Sequence, residues 1–359
     1  MAPKFHTLNV AEVRRETDDA VSIAFQVPDD LREDYRFVPG QYLTLRATVD
    51  GRDIRRSYSI CSGPADNDLR VAIRKVDGGL FSGFANESIT VGDTVQVMTP
   101  DGCFTFDADP DRAGSYVAFA AGSGITPILS IVKAVLTGEP KSEMTLVYGN
   151  RTTQSVIFRE ELEDLKNRFP TRLTLVHVLS RESMDVPLLS GRIDSEKAEA
   201  LLGKLIDVDA TDAFWLCGPE EMIGNVSTAL KAHGVTPDRI RFELFTPAID
   251  GNPKPKRVAK PGEELPVRHI GVIIDGHRVN FDMVDDGTAI LDAALENRAD
   301  LPFACKGGMC CTCRCKLVEG EVTMDKTYAL DDDEIAAGFV LSCQATPVTD
   351  TVVLDFDQR

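Results

Sequence analysis

The sequence predicts a multidomain chain: an antiparallel β-barrel, then an α/β doubly wound parallel sheet, then a small α+β unit of β-grasp-like build. Three observations predict it. Six short, β-branched segments separated by Gly, Pro or Asp fill residues 1–108. Strand and helix patterns then alternate over 109–247. A segment rich in proline, PAIDGNPKPKRVAKPGEELP, makes 248–266 a linker, and 267–359 form a third unit. A chain of 359 residues also exceeds one typical core.

The elements follow in order. HTLNVAEVRRE, AVSIAFQV, QYLTLRATV, RRSYSICS, LRVAIRKV and TVQVMTP are the six predicted strands of a closed barrel. SYVAFAA is a strand and PILSIVKAVLTG a helix, with Thr126 as cap and Pro127 at its first position. MTLVYGN, RLTLVHVLS and DAFWLCG are strands; REELEDLKNRF, EKAEALLGKL and PEEMIGNVSTALKAHG are the helices between and after them. In the third unit, VRHIGVIIDGHRVNFDM is a hairpin turning at Asp275–Gly276, and TAILDAALEN is a helix capped by Thr288.

Charge excludes some functions. The net charge of −18 argues against nucleic acid, which needs clustered Lys and Arg. Residues 267–359 carry seventeen Asp and Glu against eight Lys and Arg, which suggests a basic docking face on a partner. Ser115 to Val132 lacks charge, but Gly122, Gly124 and Pro127 interrupt it, so a buried strand, turn and helix fit better than a membrane span. The N-terminus has no apolar h-region, so a cytoplasmic location is expected. In a reducing compartment nine cysteines suggest metal or reactive thiols before disulfides.

The stretch CKGGMCCTCRC holds five of them. Cys305, Cys310 and Cys313 are spaced C-x4-C-x2-C, and Cys343 follows after 29 residues. This is the plant-type spacing for a 2Fe–2S cluster, whose potential lies at about −400 mV. Gly307 and Gly308 let backbone N–H groups approach the sulfurs. Zinc would favour a second C-x2-C or histidines, and none follows His277. A period of two puts Cys313 and Cys315 on one face, so Cys315 is expected in the core and Cys311 in a slot for any small side chain.

Two further motif groups suit nucleotides. In RRSYSICS, alternation puts Arg56, Tyr58 and Ile60 on one side; an arginine fork suits a pyrophosphate and an aromatic can stack on a flat ring. A surface strand would look similar, but DGGLFSGFAN adds a helix N-terminus for phosphate. AAGSGITP turns from strand to helix with a GxG, although Pro127 stands where the dinucleotide fingerprint has a third glycine. Cys217, Gly218 and Pro219 of LCGPEEMI end a parallel strand at the edge where ligands bind; a buried apolar filler is the alternative for Cys217.

With RxYS, GSGITP, CGP and C-x4-C-x2-C in this order, the whole chain resembles the ferredoxin–NADP reductase superfamily fused to a C-terminal plant-type ferredoxin. LPFACKGGMCCTCRCKLVEGEV and AAGFVLSCQATPVTDTVVLDFD further resemble the reductase subunits of phenylacetyl-CoA epoxidases, which serve a di-iron oxygenase component in bacterial phenylacetate degradation. The resemblance implies that Arg56 holds the FAD pyrophosphate, Tyr58 stacks on the isoalloxazine and Ser59 lies near its reactive nitrogen. It implies that Gly79, Leu80 and Ser82 cradle the phosphates, and that Gly122, Gly124 and Thr126 accommodate the nicotinamide nucleotide. Cys217 and Gly218 lie near the nicotinamide, and Glu243 and Phe245 end the reductase module beside the flavin. Further cofactor contacts are expected at Ser57, Ile73, Lys75, Asn150, Arg151 and Pro219, with Tyr58, Ser59, Cys217 and Glu243 as the catalytic set. The terminal aromatic of plant reductases is missing, because the chain runs on into the linker.

Ser180 and Arg181 of LSRE resemble the pair that holds a 2′-phosphate, which favours NADPH over NADH. The expected activity is electron transfer from NADPH through FAD and the 2Fe–2S cluster to a separate oxygenase. The alternatives are the reductase of another oxygenase, Rieske ring- or steroid-hydroxylating, and a redox-sensing iron–sulfur flavoprotein. Only five histidines occur and none forms a cluster with carboxylates, so substrate oxidation is expected on the partner.

Overall fold

A computed structural model describes residues 4–245, 257, 265–297 and 301–358. The first unit is one antiparallel sheet of β1 (Phe5–Thr17), β2 (Ala20–Gln26), β3 (Tyr42–Val49), β4 (Arg52–Ser59), β5 (Leu69–Arg74) and β6 (Thr94–Met98). Their spatial order is β4-β3-β6-β1-β2-β5. The sheet curls until its outer strands meet just past β4, where Ile60 bridges Val71. There Cys61 N donates to Arg70 O at 2.9 Å, so the barrel closes at one point rather than along a full ladder. Leu43, Leu45, Val71 and Ile73 fill its core, and α1 (Leu80–Glu87) starts after Gly79 as expected.

The second unit contains β7 (Ser115–Ala121), α2 (Ile125–Gly138), β8 (Glu143–Asn150), α3 (Arg159–Arg168), β9 (Leu173–Leu179), α4 (Ser195–Leu205), β10 (Ala213–Gly218), α5 (Glu220–Ala232) and β11 (Ile240–Leu244). The strands are parallel in the order β11-β10-β7-β8-β9. Alternation along β7 sends Tyr116, Ala118 and Ala120 into one core with α2 and α3, and Val117 and Phe119 into another with α4 and α5. Burial on both faces is why SYVAFAA is almost wholly apolar. Thr126 is not the cap of α2. The GSG turn winds directly into the helix, which starts at Ile125 with Gly124 before it, and the Thr126 hydroxyl donates to Ser123 O at 3.0 Å.

The third unit contains β12 (Val267–Ile274), β13 (His277–Val284), α6 (Ile290–Glu296), β14 (Arg314–Glu319), β15 (Val322–Met324), α7 (Asp332–Ala336), β16 (Phe339–Leu341), β17 (Ala345–Pro347) and β18 (Thr351–Asp355). Five strands form a mixed sheet, β13-β12-β18-β14-β16, with β12 and β18 parallel; β15 pairs with β17. Asp275 (φ 50°) and Gly276 (φ 72°) make the two-residue turn. Thr288 does not cap α6: Ala289 stands at the cap, and the buried Thr288 hydroxyl has no hydrogen bond among the described residues. Most of the predicted linker lies outside the described residues. Among them, no helix is long and apolar enough to cross a membrane.

Candidate functional site

The strand order of the second sheet reverses at β7, which has β8 on one side and β10 on the other. Open parallel sheets bind ligands outside the carboxyl ends of the strands at such a switch point. The GSG turn follows β7 and the CGP turn ends β10, so both motifs meet there. A side chain on Gly124 would stand 2.2 Å from Cys217 O, so only glycine allows the two turns to pack. Gly122 has a left-handed φ of 54°, and its carbonyl accepts from Tyr148 Oη at 2.9 Å. One strand further, Ser180 N donates to Asn150 O at 2.9 Å and Arg181 N to Arg151 O at 2.7 Å. Two exposed arginines thus stand together at the sheet edge, beside a buried Asn150 Nδ2 with no hydrogen bond among the described residues. An orphaned amide and paired cations fit a phosphorylated nucleotide.

The flavin motif lies on β4. Arg56 and Tyr58 are half-exposed on a face they share with the buried Ile54 and Ile60. The Tyr58 ring lies 5.7 Å from that of Phe81 in the first turn of α1, so the aromatic and the helix N-terminus are neighbours. Ser82 is buried and ties the turn, its hydroxyl donating to Gly79 O at 3.2 Å and accepting from Val76 N at 3.1 Å. Two expected contacts are differently placed. The Ile73 side chain is in the barrel core, because β5 turns that position inward, and exposed Lys75 is paired with Glu87.

On the opposite face of β4, the Ser59 hydroxyl donates to Glu243 Oε2 at 3.0 Å. Glu243 is aligned with Cys217 between β11 and β10. Glu243 is half-buried, and burial pushes its pKa up to about 8 against the hydrogen bond from Ser59. Burial, then the Glu243 charge, pushes the Cys217 thiol well up, so it stays neutral. Ser59, Cys217 and Glu243 come from two units and gather where the flavin strand meets the switch point.

The cysteine loop lies between α6 and β14. The Cys310 thiol donates to Cys305 Sγ at 3.1 Å, and the neighbouring Cys343, with burial, pushes the Cys313 thiol well up. Gly307 N and Cys310 N also donate to Cys305 Sγ, at 3.3 and 3.4 Å, and Gln344 Nε2 donates to Cys343 Sγ at 3.4 Å. The Cys310 hydrogen bond, helped by these backbone donors, holds Cys305 down at about 6. Among the described residues no three or more His, Cys, Asp or Glu converge on a single-ion site. Four cysteines at the plant-type spacing, with N–H groups aimed at the Cys305 and Cys343 sulfurs, suit a 2Fe–2S cluster better than one ion. Gly308 (φ 74°) permits the loop's turn against Lys326 and Gln344. Cys315 is buried in the same core as Cys313.

The loop touches the barrel. Tyr42 packs with Ala304 and Cys310, and its hydroxyl is 2.8 Å from Thr312 Oγ1. The Arg55 guanidinium lies 4.4 Å from the Phe303 ring centre. Cys311 does not sit in a neutral slot: its sulfur is 3.0 Å from that of Cys103 in the first unit. No sequence motif points to Tyr42, Cys103 or Thr312, since partners separated by 208 and 270 residues leave no local pattern.

A nucleotide crevice, a flavin-type strand and a cluster-type cysteine loop in one chain define an electron-transferring oxidoreductase. Residues 7–106 match the oxidoreductase FAD-binding domain, 119–228 the oxidoreductase NAD-binding domain and 272–348 the 2Fe-2S iron-sulfur cluster binding domain. The chain is 47% identical to a component of the 1,2-phenylacetyl-CoA epoxidase of Escherichia coli (strain K12), over 99% of this chain and 98% of that protein. It is 35% identical to the 3-ketosteroid-9-alpha-monooxygenase ferredoxin reductase component of Rhodococcus rhodochrous, over 97% and 96%. Phthalate dioxygenase reductase, 21% identical with a TM-score of 0.58 over 98% of both chains, has the same fold. The chain belongs to the ferredoxin–NADP reductase superfamily members that carry a C-terminal plant-type ferredoxin domain, the family of that epoxidase component. It is a reductase with FAD-binding, NAD-binding and 2Fe–2S domains.

Proposed function

We propose that this reductase passes electrons from NADPH to the di-iron oxygenase component of a phenylacetyl-CoA epoxidase. The observation that carries the reading is the 47% identity along nearly the full length of the Escherichia coli epoxidase component. When bound, NADPH supplies a hydride, FAD takes the electron pair and releases it singly, and the 2Fe–2S cluster carries one electron at a time. Arg56 would bind the FAD pyrophosphate, Tyr58 would stack on the ring and the N-terminus of α1 at Gly79 and Leu80 would face phosphate. Gly122, Gly124 and Gly218 would let the nicotinamide nucleotide approach the backbone, and Ser180 and Arg181, with Arg151 beside them, would hold its 2′-phosphate. Ser59 orients Glu243, which keeps its proton near neutral pH beside neutral Cys217 and so adds no charge where the nicotinamide and flavin meet. Cys305, Cys310, Cys313 and Cys343 would hold the cluster. Boundaries near 108, 247 and 266 separate the three modules.

Anaerobic addition of NADPH tests the reading. Flavin absorbance bleaches first and cluster absorbance second, and the reduced protein then supports turnover of a purified phenylacetyl-CoA oxygenase component. Turnover only with a Rieske steroid-hydroxylating oxygenase would reassign the acceptor, a reading that the 35% identity to a ketosteroid monooxygenase reductase supports next.

A further inference from the structure

Tyr42 opens β3 and is 3% exposed. Three features hold it there. Its backbone exchanges hydrogen bonds with Asp101, N to O at 2.9 Å and O from N at 3.1 Å. A side chain on Gly102 (φ 130°) would stand 3.1 Å from its ring. Across the ladder it faces Ser59, whose hydroxyl is bonded to Glu243. From this place its hydroxyl crosses to the third unit and meets Thr312 Oγ1 at 2.8 Å. Thr312 is fully buried, and its hydroxyl donates to Cys310 Sγ at 3.4 Å. A threonine hydroxyl has one hydrogen, so with that hydrogen on sulfur the Tyr42 phenol is the donor to Thr312. The order is Tyr42 O–H to Thr312 O–H to Cys310 sulfur.

We propose that Tyr42 is a positioning residue through which the flavin-binding unit sets the reduction potential of the cluster. It resides in one unit and acts on a sulfur of another, so its effect exists only while the two units are docked. Reduction adds negative charge to the cluster and its sulfurs, and a hydrogen bond to sulfur stabilises that form and raises the potential. A phenol donating to the threonine hydroxyl keeps its hydrogen on Cys310 and polarises it further. Docked against Tyr42, the cluster is the better acceptor from flavin. Once the contact opens, Thr312 loses its donor, the potential falls and the cluster becomes the better donor to an oxygenase. Both states thereby favour forward transfer.

The inference rests on the reading that Cys310 is a cluster ligand. The test is an EPR-monitored redox titration of the full-length holoprotein and of Tyr42→Phe, Thr312→Val, Thr312→Ser and the Tyr42→Phe/Thr312→Val double variant. Tyr42→Phe is expected to lower the equilibrium constant for cluster reduction by up to about tenfold, which is about 59 mV for one electron, in the negative direction. Thr312→Val shifts it at least as far, Thr312→Ser retains the wild-type value, and the double variant shifts no further than Thr312→Val. An intact 2Fe–2S spectrum with an unchanged potential in Tyr42→Phe overturns the inference. So does an equal Tyr42→Phe shift in the Thr312→Val background, since the phenol would then act without the threonine. A wild-type chain that binds no 2Fe–2S cluster overturns the ligand reading as well, which separates the two failures.

Discussion

Gly124→Ala isolates the meeting of the two nucleotide turns. The added Cβ would lie 2.2 Å from Cys217 O, 2.5 Å from Cys217 C and 2.8 Å from Gly218 N. All three neighbours are backbone, so no side chain can rotate away. Ordinary carbon contacts begin near 3.4 Å, so the turns must separate by about an ångström. The proposed nicotinamide site is built from these turns, and a misplacement of about 1 Å can slow a positioned reaction by about 10²-fold. Stopped-flow reduction of the flavin by NADPH, without oxygen, should therefore slow by about that factor in the variant. Flavin content and the cluster spectrum should be unchanged, because Arg56, Tyr58 and the cysteine loop lie on other elements. A reduction rate within threefold of wild type would refute the reasoning.

Three further outcomes are expected. Glu243 has a raised pKa of about 8, so the folded state keeps a proton that the unfolded chain releases near 4.5. Stability from this group is present below pH 4.5 and is lost as pH rises towards 8; Glu243→Gln removes that slope, so its melting temperature, read by flavin release, gains on wild type between pH 5 and 8. Cys310→Ser should abolish or rebuild the visible cluster spectrum, whereas Cys311→Ser and Cys315→Ser should leave it in place. Arg181→Ala, alone and with Arg151→Ala, should raise KM for NADPH by 10-fold or more while moving KM for NADH little, about the strength of one or two charge-assisted hydrogen bonds.

Much of this protein is legible locally. Strand alternation, the glycine turns and C-x4-C-x2-C each depend on a few adjacent residues, because backbone period and ligand reach are short-range properties. The helix starts at Thr126 and Thr288 mislead for a local reason too: both have cap chemistry, but the preceding backbone places Gly124 and Ala289 at the cap. Spacing also separates Cys311 and Cys315 from the proposed ligands, and Cys315 is in the core as its alternation requires. Only the folded chain, however, puts Ser59 on Glu243, Gly124 on Cys217, Arg151 beside Arg181 and Tyr42 on Thr312. Each of these pairs joins different strands, turns or units, and their meeting depends on strand order and docking. A one-dimensional pattern has no term for either, because contacts between distant residues are decided by which surfaces bury together.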